Sequence, residues 1–350
     1  MVSAHGGHSG HAVSPNSRNP NSMKSRIFGP TARPVSEIGL GCWQLGGADW
    51  GDISDERALQ VLLAAVDARV TFLDTADVYG AGRSEELLGR LLRESGSRDL
   101  FVATKLGRGS TLYPDNYTEA GVRKATESSL KRIGVDTIDL TQLHCVPESV
   151  LRRGEIFEWL RKLQDEGKIR GWGASVESID EGRLCLAQEG IQSLQVIFNL
   201  FRQKPAYEIF DECSRLDVGI IVRLPLASGL LSGKFTSETR FPANDHRTYN
   251  RNGGAFNVGE TFAGLPFEKG VSLANSLRKH IPKGWSMAQF AQRWILDYPA
   301  VTTVITGASR PEQARDNAQV SDLPHLSPDL HKVLRAFHDS EVLPNIRGPY

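Results

Sequence analysis

From Val35 onward the chain alternates between two spacings of apolar residues. Short β-branched and apolar runs bounded by Gly, Pro or polar residues read as buried strands. Eight can be marked: Glu37–Gly41, Thr71–Asp74, Leu100–Thr104, Ile138–Leu143, Ile169–Gly173, Leu194–Phe198, Gly219–Leu224 and Thr302–Ile305. Between them, apolar residues recur at helical spacing. Ala58, Leu59, Leu62, Leu63 and Val66 form one such face, and Leu87, Leu88, Leu91 and Leu92 form another behind Ser84 as its expected N-cap. Ser178 and Glu181 have the spacing of a capping box opening the helix after the fifth strand, and Gly167 is placed to end the helix before it.

Alternating strands and helices predict an α/β fold with a parallel sheet and crossover helices. Eight strands fit a (β/α)₈ TIM barrel better than a doubly wound sheet, which has fewer strands and shows a GxGxxG turn after its first. Gly39-Leu-Gly41 is not that turn, and Leu45-Gly-Gly47 reads as a loop without phosphate-cradling spacing. The segment from the seventh to the eighth strand is unusually long, and about 235–264 within it is rich in Gly, Asn, Arg and Thr. Such a loop inside a compact barrel is functional or mobile, and following a strand it belongs on the active face.

Residues 1–24 are Gly, Ser, Asn, Pro and His, too polar for a core, and are expected to be a disordered leader ahead of a barrel over 25–350. His5, His8 and His11 in it could bind metal only adventitiously. With 41 basic and 41 acidic residues, the chain has no general attraction to nucleic acid or acidic membranes. No apolar run approaches the roughly 20 residues that span a bilayer. Cys42, Cys145, Cys185 and Cys213 are scattered without CxxC or Cys/His spacing, so no metal site is expected and a reducing, cytoplasmic setting is the simplest reading.

The chemistry concentrates at strand ends. Asp74 and Tyr79 straddle the end of the second strand and the loop after it, while Lys105 and His144 end the third and fourth. A tyrosine, with an ordinary pKa of about 10, is a poor proton donor near neutrality unless a nearby ammonium stabilises its phenolate. A carboxylate beside the lysine keeps that ammonium charged, and a neutral histidine can donate a hydrogen bond to a substrate oxygen.

This set and its wording resemble the aldo-keto reductase family from about Arg26 through Leu326. The matching phrases are Ile38-Gly-Leu-Gly-Cys-Trp43, Phe72-Leu-Asp-Thr-Ala-Asp-Val-Tyr-Gly80 with Gly82-Arg-Ser-Glu-Glu-Leu-Leu-Gly89, Ala103-Thr-Lys105 and Gln142-Leu-His144. Further matches are Gly171-Trp-Gly-Ala-Ser175, Gln195 with Asn199, Pro225-Leu-Ala-Ser-Gly-Leu-Leu-Ser-Gly-Lys234, and Gly307-Ala-Ser-Arg310 with Gln313 and Asn317. The resemblance implies a barrel that binds NADP(H) across its strand ends and passes hydride between nicotinamide and a substrate carbonyl. Tyr79 would be the general acid, Lys105 its tuner, Asp74 the anchor of Lys105, and His144 the group that orients the carbonyl. Ala81 and Gly82 would leave room beside Tyr79.

By the same likeness Ser175 and Gln195 bind the carboxamide, supported by Asn199, and Trp43 lines the nicotinamide and substrate pocket with Tyr79 and His144. Pro225, Leu226, Ser228, Gly229, Leu230, Lys234 and Arg240 are candidates for the pyrophosphate. Ser309, Arg310 and Gln313 open the last barrel helix, where N–H groups and the dipole favour an anion, and Arg310 can fork onto a 2′-phosphate. Asn317 follows on that helix. Three departures stand out. Val176 replaces a frequent Asn, Gly307 replaces a lysine found in some relatives, and Arg223 stands where many relatives place an aromatic residue under the nicotinamide. A guanidinium can stack on a ring, yet its charge disfavours the cationic oxidised form, so Arg223 implies tighter binding of NADPH than of NADP⁺. The alternative for an arginine inside a strand is pairing with an acidic neighbour.

The reading is therefore an NADP(H)-dependent enzyme reducing a small-molecule aldehyde or ketone to an alcohol, with an oligomeric state that the sequence does not specify. The alternatives are a sugar or polyol dehydrogenase running the other way with NAD(P)⁺, and a cofactor-binding regulatory subunit of the kind that attaches to potassium channels.

Overall fold

The computed structural model describes residues 23–47, 49–96 and 99–348. The expected leader, with His5, His8 and His11, lies outside the described residues except for Met23 and Lys24. Eight parallel strands close a barrel in the order β10-β3-β4-β5-β6-β7-β8-β9. They are β3 (Ile38–Gly41), β4 (Phe72–Asp74), β5 (Phe101–Leu106), β6 (Leu140–His144), β7 (Trp172–Ser175), β8 (Ile191–Ile197), β9 (Gly219–Arg223) and β10 (Val301–Gly307). Helices α1 (Asp55–Asp67), α2 (Arg83–Ser95), α3 (Glu119–Ile133), α4 (Glu155–Asp165), α5 (Ile179–Leu186), α6 (Phe210–Arg215), α7 (Met287–Leu296) and α8 (Pro311–Ala318) alternate with them. All eight expected strands form, with ends displaced by a few residues because pairing to neighbours, such as Lys105 with Gln142 and His144 with Ser175, carries them further.

Strand side chains alternate between faces, and here the alternation sorts chemistry from packing. Leu73, Val102, Leu143, Ala174, Leu194, Val222 and Val304 belong to the large core under the helices. Their neighbours in sequence face inward. At the amino-terminal end the interior is apolar, with Phe72, Phe101, Leu140, Ile221 and Ile305 clustered together. Two or four residues further along the same strands, on the same face, come Asp74, Lys105, Gln142, His144 and Arg223.

An element the periodicity did not reveal closes the apolar end. Strands β1 (Ser25–Ile27) and β2 (Pro34–Ser36) pair antiparallel, and Phe28 from the turn and Val35 from β2 enter the interior cluster. The Phe28 ring lies 4.8 Å from Phe101 and 5.6 Å from Phe72. Arg26 ties the hairpin to the barrel by donating to the carbonyls of Leu296, Tyr298 and Val301.

Two local expectations are corrected. Ser84 is not the N-cap of α2; Gly82, in a left-handed conformation, holds that position. Ser84 sits in the first turn, where its hydroxyl accepts from Thr75 and donates to the Cys42 carbonyl. Leu45 and Gly46 end a single helical turn, Trp43–Gly46, that Gly47 caps. The capping box of Ser178 and Glu181 forms, and Gly167 adopts positive φ beyond α4. No helix among the described residues is long and apolar enough to cross a membrane.

Phe28→Ala empties the plug without touching the open end, and is expected to cost about 3–5 kcal/mol. Denaturant unfolding measures it; a loss under about 1 kcal/mol would show the plug to be dispensable.

Candidate active site

A cavity of about 950 Å³ opens at the carboxyl ends of the strands, and Asp74, Tyr79 and His144 line its deepest part with Trp43, Gln195 and Arg223. Below it Lys105 is 1% exposed. Its three ammonium protons are all used: Nζ donates to Asp74 Oδ1 at 2.5 Å, to the Thr75 carbonyl at 2.8 Å and to the Tyr79 hydroxyl at 3.1 Å. The phenol oxygen accepts from Lys105, which leaves its own proton to point elsewhere. Asp74 Oδ2 accepts from Gln142 Nε2 at 3.0 Å and Gln195 Nε2 at 2.9 Å, so both carboxylate oxygens are held.

Tyr79 reaches this position through a tight turn. Gly80 has φ of 60°, and a Cβ there would lie 2.3 Å from the Gly46 carbonyl oxygen, so only glycine lets the two loops touch. The Tyr79 ring stacks on Trp43 at 6.0 Å and meets His144 edge-on at 5.8 Å. Gly82 makes room for the Arg132 side chain rather than for Tyr79: a Cβ there would meet Arg132 Cδ at 2.5 Å.

Burial pushes the Tyr79 phenol above its ordinary range, while Lys105 pulls in the opposite direction without cancelling it. The expected net lowering by lysine is thus corrected, because burial of the phenol outweighs the ammonium beside it. Burial likewise disfavours the Lys105 charge, but Asp74 and Tyr79 outweigh it and raise its pKa. His144 is held neutral, well below the usual histidine range, first by burial and then by Arg108 and Lys105.

From this floor the cavity runs outward past Pro225, Leu226, Ser228, Gly229 and Lys234 to Gly307, Ser309, Arg310 and Gln313. The backbone after β9 is unusual: Leu224, Ala227, Ser228 and Gly229 all have positive φ. Such non-glycine conformations cost about 1–3 kcal/mol each and collect at ligand clamps. Asn199 pins this bend by donating to the Leu224 carbonyl. At the outer end Gln313 Oε1 accepts from the amides of Ser309 and Arg310, occupying the donors that an anion would use. At Gly307 the Gln44 amide takes the space of a side chain: a Cβ there would lie 2.1 Å from Gln44 Oε1, so a larger residue would have to displace Gln44.

Besides Lys105 beneath the floor and Asn199 behind the bend, four expected cofactor residues are not brought to the cavity wall. Ser175 lies behind Gln195, donating to its Oε1 at 3.4 Å. Leu230 is 1% exposed and packs in the core. Arg240 is exposed and donates only to the carbonyls of Ser237 and Thr239. Asn317 faces inward from α8, accepting from Gln292 and donating to Gly307. Val176 offers its carbonyl to Arg223 Nη2 at 3.1 Å.

Other residues entered without having been expected. Gln142 stands one inward step before His144, a signal that strand periodicity contained. Arg108, Asp49, Trp50, Tyr249, Phe256 and Glu260 all line the cavity, and come from loops whose sequence has no periodic code. Asp49 joins the two sides of the mouth: its carboxylate accepts from the Trp43 indole at 3.0 Å and the Tyr249 hydroxyl at 2.6 Å. Its carbonyl accepts from the His246 amide.

Comparison with known proteins places relatives beside this geometry. The Aldo/keto reductase family profile matches residues 37–339. An aldo-keto reductase of Bacillus subtilis is 31% identical over 305 residues, 85% of this chain and 89% of that one. An NADP(+) aldo-keto reductase of Schizosaccharomyces pombe is 34% identical over 236 residues, 65% of this chain and 68% of its own. The glycerol dehydrogenase structure from Gluconobacter oxydans superposes with a TM-score of 0.75 at 29% identity, covering 95% of this chain and 99% of that one.

Asp74→Ala strands the Lys105 charge in a dry interior and should cost about 3–5 kcal/mol in denaturant unfolding. Asp74→Ala combined with Lys105→Met should recover a substantial part of that loss; equal losses in both variants would deny the pair its role.

Proposed function

The chain belongs to the aldo/keto reductase family, and on that premise we propose that it is an NADP(H)-dependent oxidoreductase that reduces aldehyde or ketone carbonyls, with Tyr79 as proton donor. One observation carries the reading: the Tyr79 hydroxyl at the floor of the cavity accepts from an ammonium that Asp74 keeps charged. When bound along the cavity, NADPH would supply the hydride for the carbonyl carbon. The chain's own residues do the rest. His144, neutral and beside Tyr79, orients the carbonyl oxygen by a hydrogen bond. Tyr79 gives that oxygen its proton as negative charge develops, and Lys105 stabilises the phenolate left behind. Aromatic walls from Trp43, Trp50 and Phe256 exclude water around this transfer.

The cavity, about 950 Å³ in volume, presents donors that suit a dinucleotide. Gln195 is the lining side chain for the carboxamide, with Ser175 acting from behind it. The bend at Leu226, Ser228 and Gly229, with Lys234, takes the pyrophosphate, and Arg310 with Ser309 takes the 2′-phosphate once Gln313 swings away from their amides. The NADP(+) relative supports that preference. Likeness to a glycerol dehydrogenase supports small hydroxylated carbonyls or alcohols as substrates, and the reverse direction uses the same groups, with the phenolate of Tyr79 as base. Four buried, unbonded thiols support a reducing, cytoplasmic setting.

The test is oxidation of NADPH by a panel of aldehydes and hydroxyketones. Tyr79→Phe should lower kcat by about 10²–10⁴ while the Kd for NADPH stays within a few-fold; full turnover in that variant would remove Tyr79 from its role. Because the protonated phenol is the active form and its pKa is raised, carbonyl reduction should fall only as pH rises above about 10. An alkaline limb centred near neutrality would contradict this assignment.

A further inference from the structure

One cluster of charges beside the Tyr79 site takes no part in the proton transfer. Arg108, from the loop after β5, and Arg223, at the end of β9, approach the same carboxylate from two sides. Glu260 Oε1 lies 3.0 Å from Arg108 Nη1 and 3.5 Å from Arg223 Nη1. Glu260 arrives from the long loop between β9 and β10 and is 4% exposed. Cys145 Sγ stands 3.7 Å from the same oxygen, and Arg108 Nη2 lies 3.7 Å from Glu177 Oε1. Cys145, Glu177 and Glu260 present ligand atoms within 4.8 Å of one another, a spacing that suits a cation. The two guanidinium groups already supply that positive charge.

The two carboxyl groups are not equivalent. Burial works against the Glu260 charge, but Arg108 and Arg223 overcome it and hold the group below the usual carboxylate range. Glu177 is pushed up to about 7 by burial and by Glu260 beside it. Near neutrality Glu260 is therefore the reliable negative charge facing two positive ones. The other charges close by, Lys105 and Asp74, neutralise each other, and His144 is neutral.

The reaction changes the charge of this chamber. Carbonyl reduction consumes NADPH and a proton and leaves the alcohol and NADP⁺, so the nicotinamide ring goes from neutral to positive. Hydride transfer requires that ring within about 3–3.5 Å of a carbonyl carbon held at Tyr79 and His144. Both of those residues feel the field of Arg223, which lines the same chamber with Glu260. Arg223 Nε is buried with no hydrogen-bond partner.

We propose that Glu260 is a specificity-determining residue that sets the balance between oxidised and reduced cofactor: as counter-ion to Arg223 and Arg108, it lets a positively charged chamber wall hold NADP⁺. This rests on the reading that NADP(H) binds in the cavity. It also revises the sequence expectation, since Arg223 is paired and its preference for the reduced form is muted for as long as Glu260 stays in place.

Titration of the full chain with NADP⁺ and NADPH, followed through quenching of Trp43 and Trp50, tests the proposal. One uncompensated charge at this range changes a dissociation constant on the order of tenfold. Glu260→Gln should raise the ratio of Kd for NADP⁺ to Kd for NADPH by about that factor, and Arg223→Met should lower it. The double variant should return close to the parent ratio, and Glu260→Asp, which keeps the charge, should stay within about twofold of it. Equal weakening of both forms in Glu260→Gln would reduce Glu260 to an anchor of its loop and overturn the proposal. Failure of the unaltered chain to bind either form would overturn the functional reading as well.

Discussion

Around one buried ammonium the open end of this barrel is organised. Lys105 is cut off from water, and an isolated charge there would cost several kcal/mol. It is kept because Asp74 contacts it at 2.5 Å and a backbone carbonyl and the Tyr79 phenol take its other protons. The requirement spreads outward. Asp74 needs its second oxygen satisfied, which Gln142 from β6 and Gln195 from β8 do across the barrel interior. Tyr79 must be brought over Lys105 by a turn tight enough to demand Gly80 against Gly46. Burial then raises the pKa of the phenol and lowers that of the imidazole, leaving a protonated phenol and a neutral imidazole side by side.

The barrel makes such a site affordable by separating its two ends. Phe28 and the interior phenylalanines fill the bottom and bear the packing, while inward positions one layer higher can be polar because they pair with one another: Asp74 from β4, Lys105 from β5, Gln142 from β6 and Gln195 from β8 form one connected set. The long loop adds what the strands lack. Its Glu260 reaches down to balance two arginines, and its His246 and Tyr249 meet Asp49 across the mouth, so the surface of the chamber is shared between scaffold and loop.

Much of this was legible in the chain itself. Eight short apolar runs alternating with helical patterns identified the barrel, and the residues ending three of those runs, Asp74, Lys105 and His144, are among the polar groups at the floor of the cavity. What stayed hidden has physical reasons. The hairpin around Phe28 is too short for any periodicity. Gln142 shares the inward parity of His144, but an amide between apolar residues reads as ordinary core. Glu260 and Asp49 act from irregular loops, where partners are chosen by the fold and not by spacing. Arg240 and Leu230 looked equivalent to Lys234 and Ser228 in sequence, and only the left-handed bend after β9 turns some of these toward the cavity and others away.

On the proposed reading, Lys105 acts on chemistry through Tyr79 and not independently. The direct measurement is single-turnover NADPH oxidation in Tyr79→Phe, Lys105→Met and the double variant, each saturated with cofactor. If the two residues work as one unit, each single change slows the step by about 10²–10⁴ and the double variant is little slower than Tyr79→Phe alone. Losses that multiply in the double variant would show two independent contributions and contradict the account.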